Sequence, residues 1–443
     1  MLPSRTLCFV CVVARSSLGN EEPLARFPST ASSTETPQRK PDKVLAAMRR
    51  PTILRGLTAA ILAVATAAGV EFVARSGLRL LEARGAGYRA IDADDLSAAH
   101  RSVLADLLAE RPSLFQHDAA LGWTLRPGFR NQLCTIDAEG RRRDSQRPRP
   151  IAPALRVATF GDSFTFGGDV VDRYAYPEVL ARLAAGLEVA NYGVPAYGLD
   201  QAFLRYQREG RAWHPRVVVI GFMSENIFRT VSVFRPFYVP STLVPLAKPR
   251  YLAGEPEPRL LANPLPRLDD YRRLLERPSE TLAELGRNDF YYRTRPRAGP
   301  LDRSATVRLV KLARERWGPG REIVRNGYYY TAGEAFRVTA DLIKAFYEMA
   351  LRDGAQPVIL IFPEGSDLAR WRSERTKRYA PLLQFLTAKG YWVVDAMAAL
   401  ETAGSGRPVA ELIPAHLSPL GNQLVAEYLL KQLRGFGLVP SSL

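Results

Sequence analysis

The sequence predicts an α/β fold in which a parallel sheet is covered by helices on both faces. Three observations carry this. From Leu155 onward, short β-branched apolar runs alternate with amphipathic stretches of helical period, the pattern of strands buried on both sides. The stretch ALRVATFGDSFTFGG, Ala154 to Gly168, runs from apolar Val157–Phe160 straight into Gly161, Asp162 and Ser163, as a strand does when it ends in a tight turn. Finally, 443 residues with 47% hydrophobic and 24% charged content suffice for one large domain with additions, or for two domains, and are globular in balance.

The strands expected are Arg156–Phe160, Leu187–Asn191, Arg216–Phe222, Pro357–Phe362 and Tyr391–Asp395. Each is a short apolar run of strand length bounded by turn formers. Between and after them, Pro177–Ala185, Asp200–Trp213, Ala332–Arg352, Tyr379–Lys389 and Pro419–Arg434 read as helices. In the last of these, Leu420, Leu424, Tyr428, Leu429 and Leu433 fall at helical spacing, so that face belongs to the core.

Ahead of the domain, residues 1–47 are rich in Ser, Arg and Pro without sustained periodicity, which reads as a disordered leader or as a start that truly lies at Met48. From Met48 the chain is basic (MRRPTILRG) and then apolar from Leu57 to Val70. With Phe72, Val73 and Ala74 prolonging that run past Glu71, residues 48–75 form a signal segment or a retained membrane anchor. Ala65-Thr66-Ala67 suits a small-residue cleavage site, whereas Arg49, Arg50 and Arg55 would hold an uncleaved helix with its start inside. Either way the body of the chain is exported, to the periplasm or another extracytoplasmic space. Residues 76–150 then divide into a helical stalk, Ser76–Arg111, and a small β-rich lead-in, Phe115–Gly140, closed by Pro148, Pro150 and Pro153. The domain proper is 151–443.

One interruption breaks the alternation. The insertion 229–330, rich in Pro, Arg and Tyr (FRPFYVP, KPRYL, NDFYYRTRPR), follows the third strand. A connection this long is functional when ordered. It is placed to fold over Ser163 as a lid or substrate wall, or else to be a surface excursion.

Composition narrows the chemistry. The formal charge of +16 comes with scattered Arg and no compact basic stripe interleaved with aromatics, so no nucleic-acid partner is expected; the Arg excess reads as a plain compositional bias, with an anionic-polymer binder as the alternative. Cys8 and Cys11 fall in the leader and Cys134 stands alone, while His100, His117, His214 and His416 are the four histidines. That inventory offers neither a disulfide framework nor metal-ligand spacing, and no cofactor or metal is expected.

Four short pieces end strands or begin helices on one sheet edge, where ligands bind in open α/β sheets. Ser163 stands at the first turn, either as a nucleophile or as part of a helix cap with Asp162. NYGVPAYG places Gly193, whose N–H no side chain covers, after the second strand. GFMSENIFR offers Asn226 after the third, and AHLSPLGNQ places His416 before the last helix, with Ser418 as its cap.

Ser163, Gly193, Asn226 and His416, in this order and spacing, resemble the SGNH (GDSL-like) hydrolase superfamily over about Leu155 to Leu433, apart from the insertion. The resemblance implies a flavodoxin-like three-layer α/β/α fold with a five-stranded parallel sheet. It also implies that Ser163 attacks an ester carbonyl while His416 moves its proton. The N–H groups of Ser163 and Gly193 and the Asn226 amide then form the oxyanion hole.

In one respect the chain departs from that family: the carboxylate usual three residues before the histidine is Ile413 here. Three expectations remain open. The Ile413 carbonyl orients His416; or Asp395, or Glu411, reaches it from elsewhere; or the site only binds. The reading is therefore an exported, membrane-anchored serine esterase or O-acyltransferase acting through acyl-Ser163 on a small-molecule or glycan ester, such as an O-acylated cell-envelope polysaccharide or glycolipid. The competing reading is a non-catalytic carbohydrate-binding or assembly protein of the same fold. Oligomeric state is not legible.

Overall fold

The computed structural model describes residues 44–83, 96–148, 150, 155–254, 256–296 and 299–443. The leader 1–43, the middle of the expected stalk (84–95) and Pro153 of the expected boundary lie outside the described residues.

The chain divides into two units, 1–67 and 68–443. Helix α1, Val44–Ala83, supplies the described part of the first and continues into the second. Its stretch Arg55–Leu81 is long and apolar enough to cross a membrane, by length and composition. All remaining elements belong to the second unit. Helix α2, Ala98–Leu108, is capped by Ser97 and buries His100 and Leu104. The far end of the expected stalk is helical, and its Leu104, Leu107 and Leu108 pack with the lead-in and the insertion. A hairpin follows, pairing Phe115–Asp118 with Gly122–Leu125.

The sheet comprises β1 (Leu155–Phe160), β2 (Leu187–Asn191), β3 (Val217–Met223), β4 (Gln356–Phe362) and β5 (Val393–Asp395). Its order is β2-β1-β3-β4-β5, and every pairing is parallel. The register sets Phe160 beside Ile220 and Ile220 beside Ile359. All seven residues of β3 are buried, as an unbroken Val/Ile run in a doubly covered strand requires. The layers on the two faces come from α4 (Tyr176–Leu183), α5 (Leu199–Arg205), α7 (Glu334–Arg352) and α8 (Pro419–Gly435), with α6 (Ala305–Ile323) lying in the insertion. Pro177 and Pro419 sit in the first turns of α4 and α8, where a missing N–H costs nothing. The chain therefore has the three-layer α/β/α architecture with a five-stranded parallel sheet.

A large core surrounds the sheet. A second core, holding Trp123, Phe166, Val194, Tyr197, Phe234 and Tyr271, joins the lead-in hairpin to the insertion beneath the turn that follows β1. A third, small one packs Ala74 and Leu78 of α1 against Ala305, Leu309 and Leu312 of α6. There Glu71 accepts hydrogen bonds from the Ala305 and Thr306 N–H groups and from the Ser304 and Thr306 hydroxyls. A residue that reads as a break in an apolar run is in fact the cap of a helix some 230 positions away.

Candidate active site

The sheet order reverses direction at β1 and β3, and a crevice opens at the carboxyl ends of strands at such a point. Both loops that leave those ends contribute to it. After β1, Asp162 caps a single helical turn, α3 (Ser163–Phe166), by accepting the Phe164 N–H at 2.8 Å. Gly167 ends the turn at φ 87°, a conformation open to glycine without strain. Ser163 is thereby the first residue of a helical turn, where its N–H has no intrahelical acceptor; it makes no hydrogen bond among the described residues. Ser163 itself is 8% exposed and lines a cleft of about 620 Å³.

His416 lines the same cleft. Its ring lies against Gly168, where a Cβ would meet the imidazole at 3.0 Å, and edge-on to Phe164 at 5.6 Å. His416 Nδ1 is 2.6 Å from Asp169 Oδ2. Nε2 makes no hydrogen bond among the described residues, the Ser163 hydroxyl included. The loop bearing His416 is pinned by Asn422, whose amide donates to the Leu417 and Ser418 carbonyls while its oxygen accepts the Tyr176 N–H at 2.9 Å. Ser418 caps α8 through the Gly421 N–H.

The acid that meets His416 Nδ1 is Asp169, and none of the groups expected to orient the ring does so. Ile413 is buried, its N–H bonded to Val409 and its carbonyl directed at Gly365. Asp395 caps the helix that begins at Ala396, and binds Lys377 at 2.6 Å and Tyr379 at 2.9 Å. Glu411 pairs with Arg407 at 3.4 Å. None of the three faces His416. Asp169 does, from the turn just beyond the serine, with φ 64°. The signal was present in FGGD: two glycines let the chain reverse, and an acid two positions on can meet a ring stacked on the second of them.

Gly193 also differs from expectation. Its N–H donates to Asn191 Oδ1 at 2.9 Å and does not face the cleft. What requires glycine there is contact, since a Cβ would lie 2.3 Å from the Phe166 nitrogen of α3. The cleft is lined instead by Pro195 and Ala196. The Tyr197 N–H bonds to the Val194 carbonyl and Ala196 has φ 68°, a turn with Pro in its first central position and a left-handed second. The Ala196 N–H has no acceptor among the described residues. Asn226 lies at the end of β3, 1% exposed, with Nδ2 on Asp162 Oδ2 at 3.1 Å. An amide nitrogen has two protons, so one N–H of Asn226 remains.

The accessory segments splint this rim. Arg142 of the lead-in is buried and binds Asp172 at 2.8 Å together with the carbonyls of Leu133, Phe166, Gly167 and Val170. It therefore grips both ends of the loop that carries Asp169. Trp123 donates to the Pro195 carbonyl at 3.2 Å, and Tyr197 donates to the Trp123 carbonyl at 2.6 Å, which fixes the Ala196 turn. From the insertion, Arg235, Thr242 and Val244 form one wall of the cleft. Among the described residues, no group of three or more His, Cys, Asp or Glu is arranged to hold a metal ion.

Fold and rim together define a class: an α/β protein that presents a serine hydroxyl and an Asp-paired imidazole to one cleft. No family model and no curated sequence matches the chain. Among solved structures it is similar to a protein assigned to the G-D-S-L lipolytic family from Desulfitobacterium hafniense DCB-2, at 16% identity and TM-score 0.31, over 63% of this chain and 100% of that one. It is similar also to an acetylxylan esterase from Geobacillus stearothermophilus, at 14% identity and TM-score 0.34, over 66% of this chain and 100% of that one. The functional reading below rests on the residues of this chain.

Proposed function

We propose that the chain is a serine esterase or O-acyltransferase of the SGNH kind, with Ser163, His416 and Asp169 as its catalytic set. The observation that carries this is the short contact from Asp169 to His416 Nδ1, on the rim of the cleft that Ser163 lines. Asp169 holds Nδ1 protonated and so directs the basic Nε2 lone pair toward the cleft. Ser163 Oγ attacks the ester carbonyl carbon as Nε2 takes the hydroxyl proton. The carbonyl oxygen becomes an oxyanion, met by the Ser163 and Ala196 N–H groups and the remaining Asn226 N–H, each such donor contributing about 2.7–4 kcal/mol in comparable sites. Collapse of the tetrahedral adduct breaks the ester C–O bond, and His416 returns the proton to the departing alcohol. Water or an acceptor hydroxyl then attacks the acyl-Ser163 carbonyl as His416 takes its proton, and the second adduct collapses by breaking the acyl C–Oγ bond while His416 returns the proton to Ser163 Oγ.

The open cleft between lead-in and insertion suits a bulky ester, and an O-acylated glycan or glycolipid is the substrate class we favour. The apolar run Leu57–Val70 of α1, ahead of Glu71, anchors the enzyme in a membrane in this reading, with the domain on the extracytoplasmic side. The alternative of a binding protein without catalysis drew its support from Ile413, and Asp169 supplies the acid that position lacks.

The test is release of 4-nitrophenol from 4-nitrophenyl acetate by the full chain in detergent. Turnover should fall at least 10³-fold in Ser163→Ala and in His416→Ala. Equal turnover in Ser163→Ala and the native chain would overturn the reading.

A further inference from the structure

Three guanidinium groups line the cleft, those of Arg142, Arg229 and Arg235, and two of them are committed. Arg142 is saturated by Asp172 and four carbonyls, as described above. Arg229 donates to Glu225 at 2.5 Å, to the Tyr197 carbonyl at 2.7 Å and to Asp162 at 3.3 Å. Glu225 and Asp162 are thus both in contact with Arg229, and Glu364, the other glutamate of the cleft, pairs with Arg378 at 3.2 Å.

Arg235 is different. It leads the short turn Arg235–Phe237 at the start of the insertion, half-buried. Its Nη1 donates to the Tyr238 hydroxyl at 2.9 Å, and its guanidinium lies 5.5 Å from the Tyr238 ring centre. Among the described residues it forms no ion pair, and its Nε and Nη2 make no hydrogen bond. Those atoms are not sealed in protein either, so the free edge of the fork meets the cleft. Burial and the neighbouring charge of Arg229 both disfavour its cationic form, yet a guanidinium stays charged in any protein setting. A half-buried cation with an open two-donor edge is best completed by an anion, and a carboxylate or phosphate matches that fork with two parallel hydrogen bonds.

We infer that Arg235 forms an anion subsite of the Ser163 cleft, and that the substrate is an ester carrying a carboxylate or phosphate group near the scissile bond. This rests on the serine-esterase reading given above and narrows its substrate class. Neutral esters then react without using the subsite, whereas acidic ones gain binding from it.

The experiment compares paired esters in the full chain and in Arg235→Gln and Arg235→Lys. One pair places the charge on the alcohol, 4-acetoxybenzoate against its methyl ester. Another places it on the acyl group, phenyl hydrogen succinate against phenyl pentanoate. A third uses 4-acetoxyphenyl phosphate against 4-acetoxyanisole. The readout is the ratio of kcat/KM for acidic over neutral ester within each protein, which cancels both intrinsic ester reactivity and any loss of folded enzyme. In at least one pair the ratio should drop fivefold or more in Arg235→Gln, with Arg235→Lys recovering part of it. A change below fivefold in all three pairs, with hydrolysis of the neutral esters still dependent on Ser163, would overturn the subsite and leave the esterase reading standing. Hydrolysis indifferent to Ser163→Ala would bring down both.

Discussion

Asp169 Oδ2 lies 2.6 Å from His416 Nδ1, although the two residues are 247 positions apart. Five residues separate this acid from Ser163, so the proposed nucleophile and the proposed orienting carboxylate come from one loop. Asp169→Asn should leave the fold intact and lower kcat on 4-nitrophenyl acetate by on the order of 10²-fold. A buried orienting acid is worth nearer ~10⁴, but the Asp169 side chain is 65% exposed and water screens it. Asp395→Ala, by contrast, should weaken a helix cap by about 1 kcal/mol and be read in thermal unfolding.

Gly193 serves packing. A methyl group there would meet the Phe166 nitrogen at 2.3 Å, and α3 would have to move. Gly193→Ala is expected to cost about 1–3 kcal/mol, as overpacked sites do, and to depress kcat more than it raises KM because Ser163 is displaced. Steady-state kinetics beside thermal melts would separate the two effects.

Arg142 ties the lead-in to the loop Phe166–Val170. Arg142→Leu leaves the half-buried Asp172 without its cation and takes the donor from the carbonyls that Arg142 holds, each buried polar group left unsatisfied costing about 1–3 kcal/mol. The variant should unfold at markedly lower denaturant concentration than the native chain. Activity that survives should be lost with Asp169 order, since the same guanidinium holds both ends of that loop.

His100 gives a pH dependence. It is buried on α2, with Nε2 bonded to the Thr242 carbonyl at 3.1 Å, and burial lowers its pKa from 6.5. The unfolded chain therefore takes up a proton at this site at higher pH than the folded one. Stability from this group is full above about pH 7 and declines as pH falls through 6.5 toward the depressed value, with a slope of at most about 1.4 kcal/mol per pH unit. Urea unfolding of His100→Gln should show a flatter profile below pH 6.5 than the native chain does.

Glu71 caps α6 with four accepted hydrogen bonds. Glu71→Ala should lower the thermal unfolding midpoint of the second unit in detergent, as loss of a helix cap does. Glu71→Gln should recover part of this, since one amide oxygen still accepts.

The strand and helix pattern was legible because burial imposes it locally. Val217 to Phe222 is continuous apolar sequence because β3 is covered on both faces, and Pro419 and Ser418 announce the start of α8 in their own chemistry. Ser163, Asn226 and His416 could be placed on one edge for the same reason, each following a strand or preceding a helix. The helices inside the insertion were not legible, because their apolar residues answer to the lead-in across the second core and show no period against the main sheet.

What the sequence alone determined, then, is the sheet, its helices and the edge on which chemistry can occur, all set by short-range periodicity and turn residues. Tertiary structure decided which acid meets His416, what Gly193 is for, and that Arg235 of the cleft forms no ion pair among the described residues. Each of these depends on groups brought together from distant positions, where orientation and distance select among several residues of the same type. No local pattern records that choice.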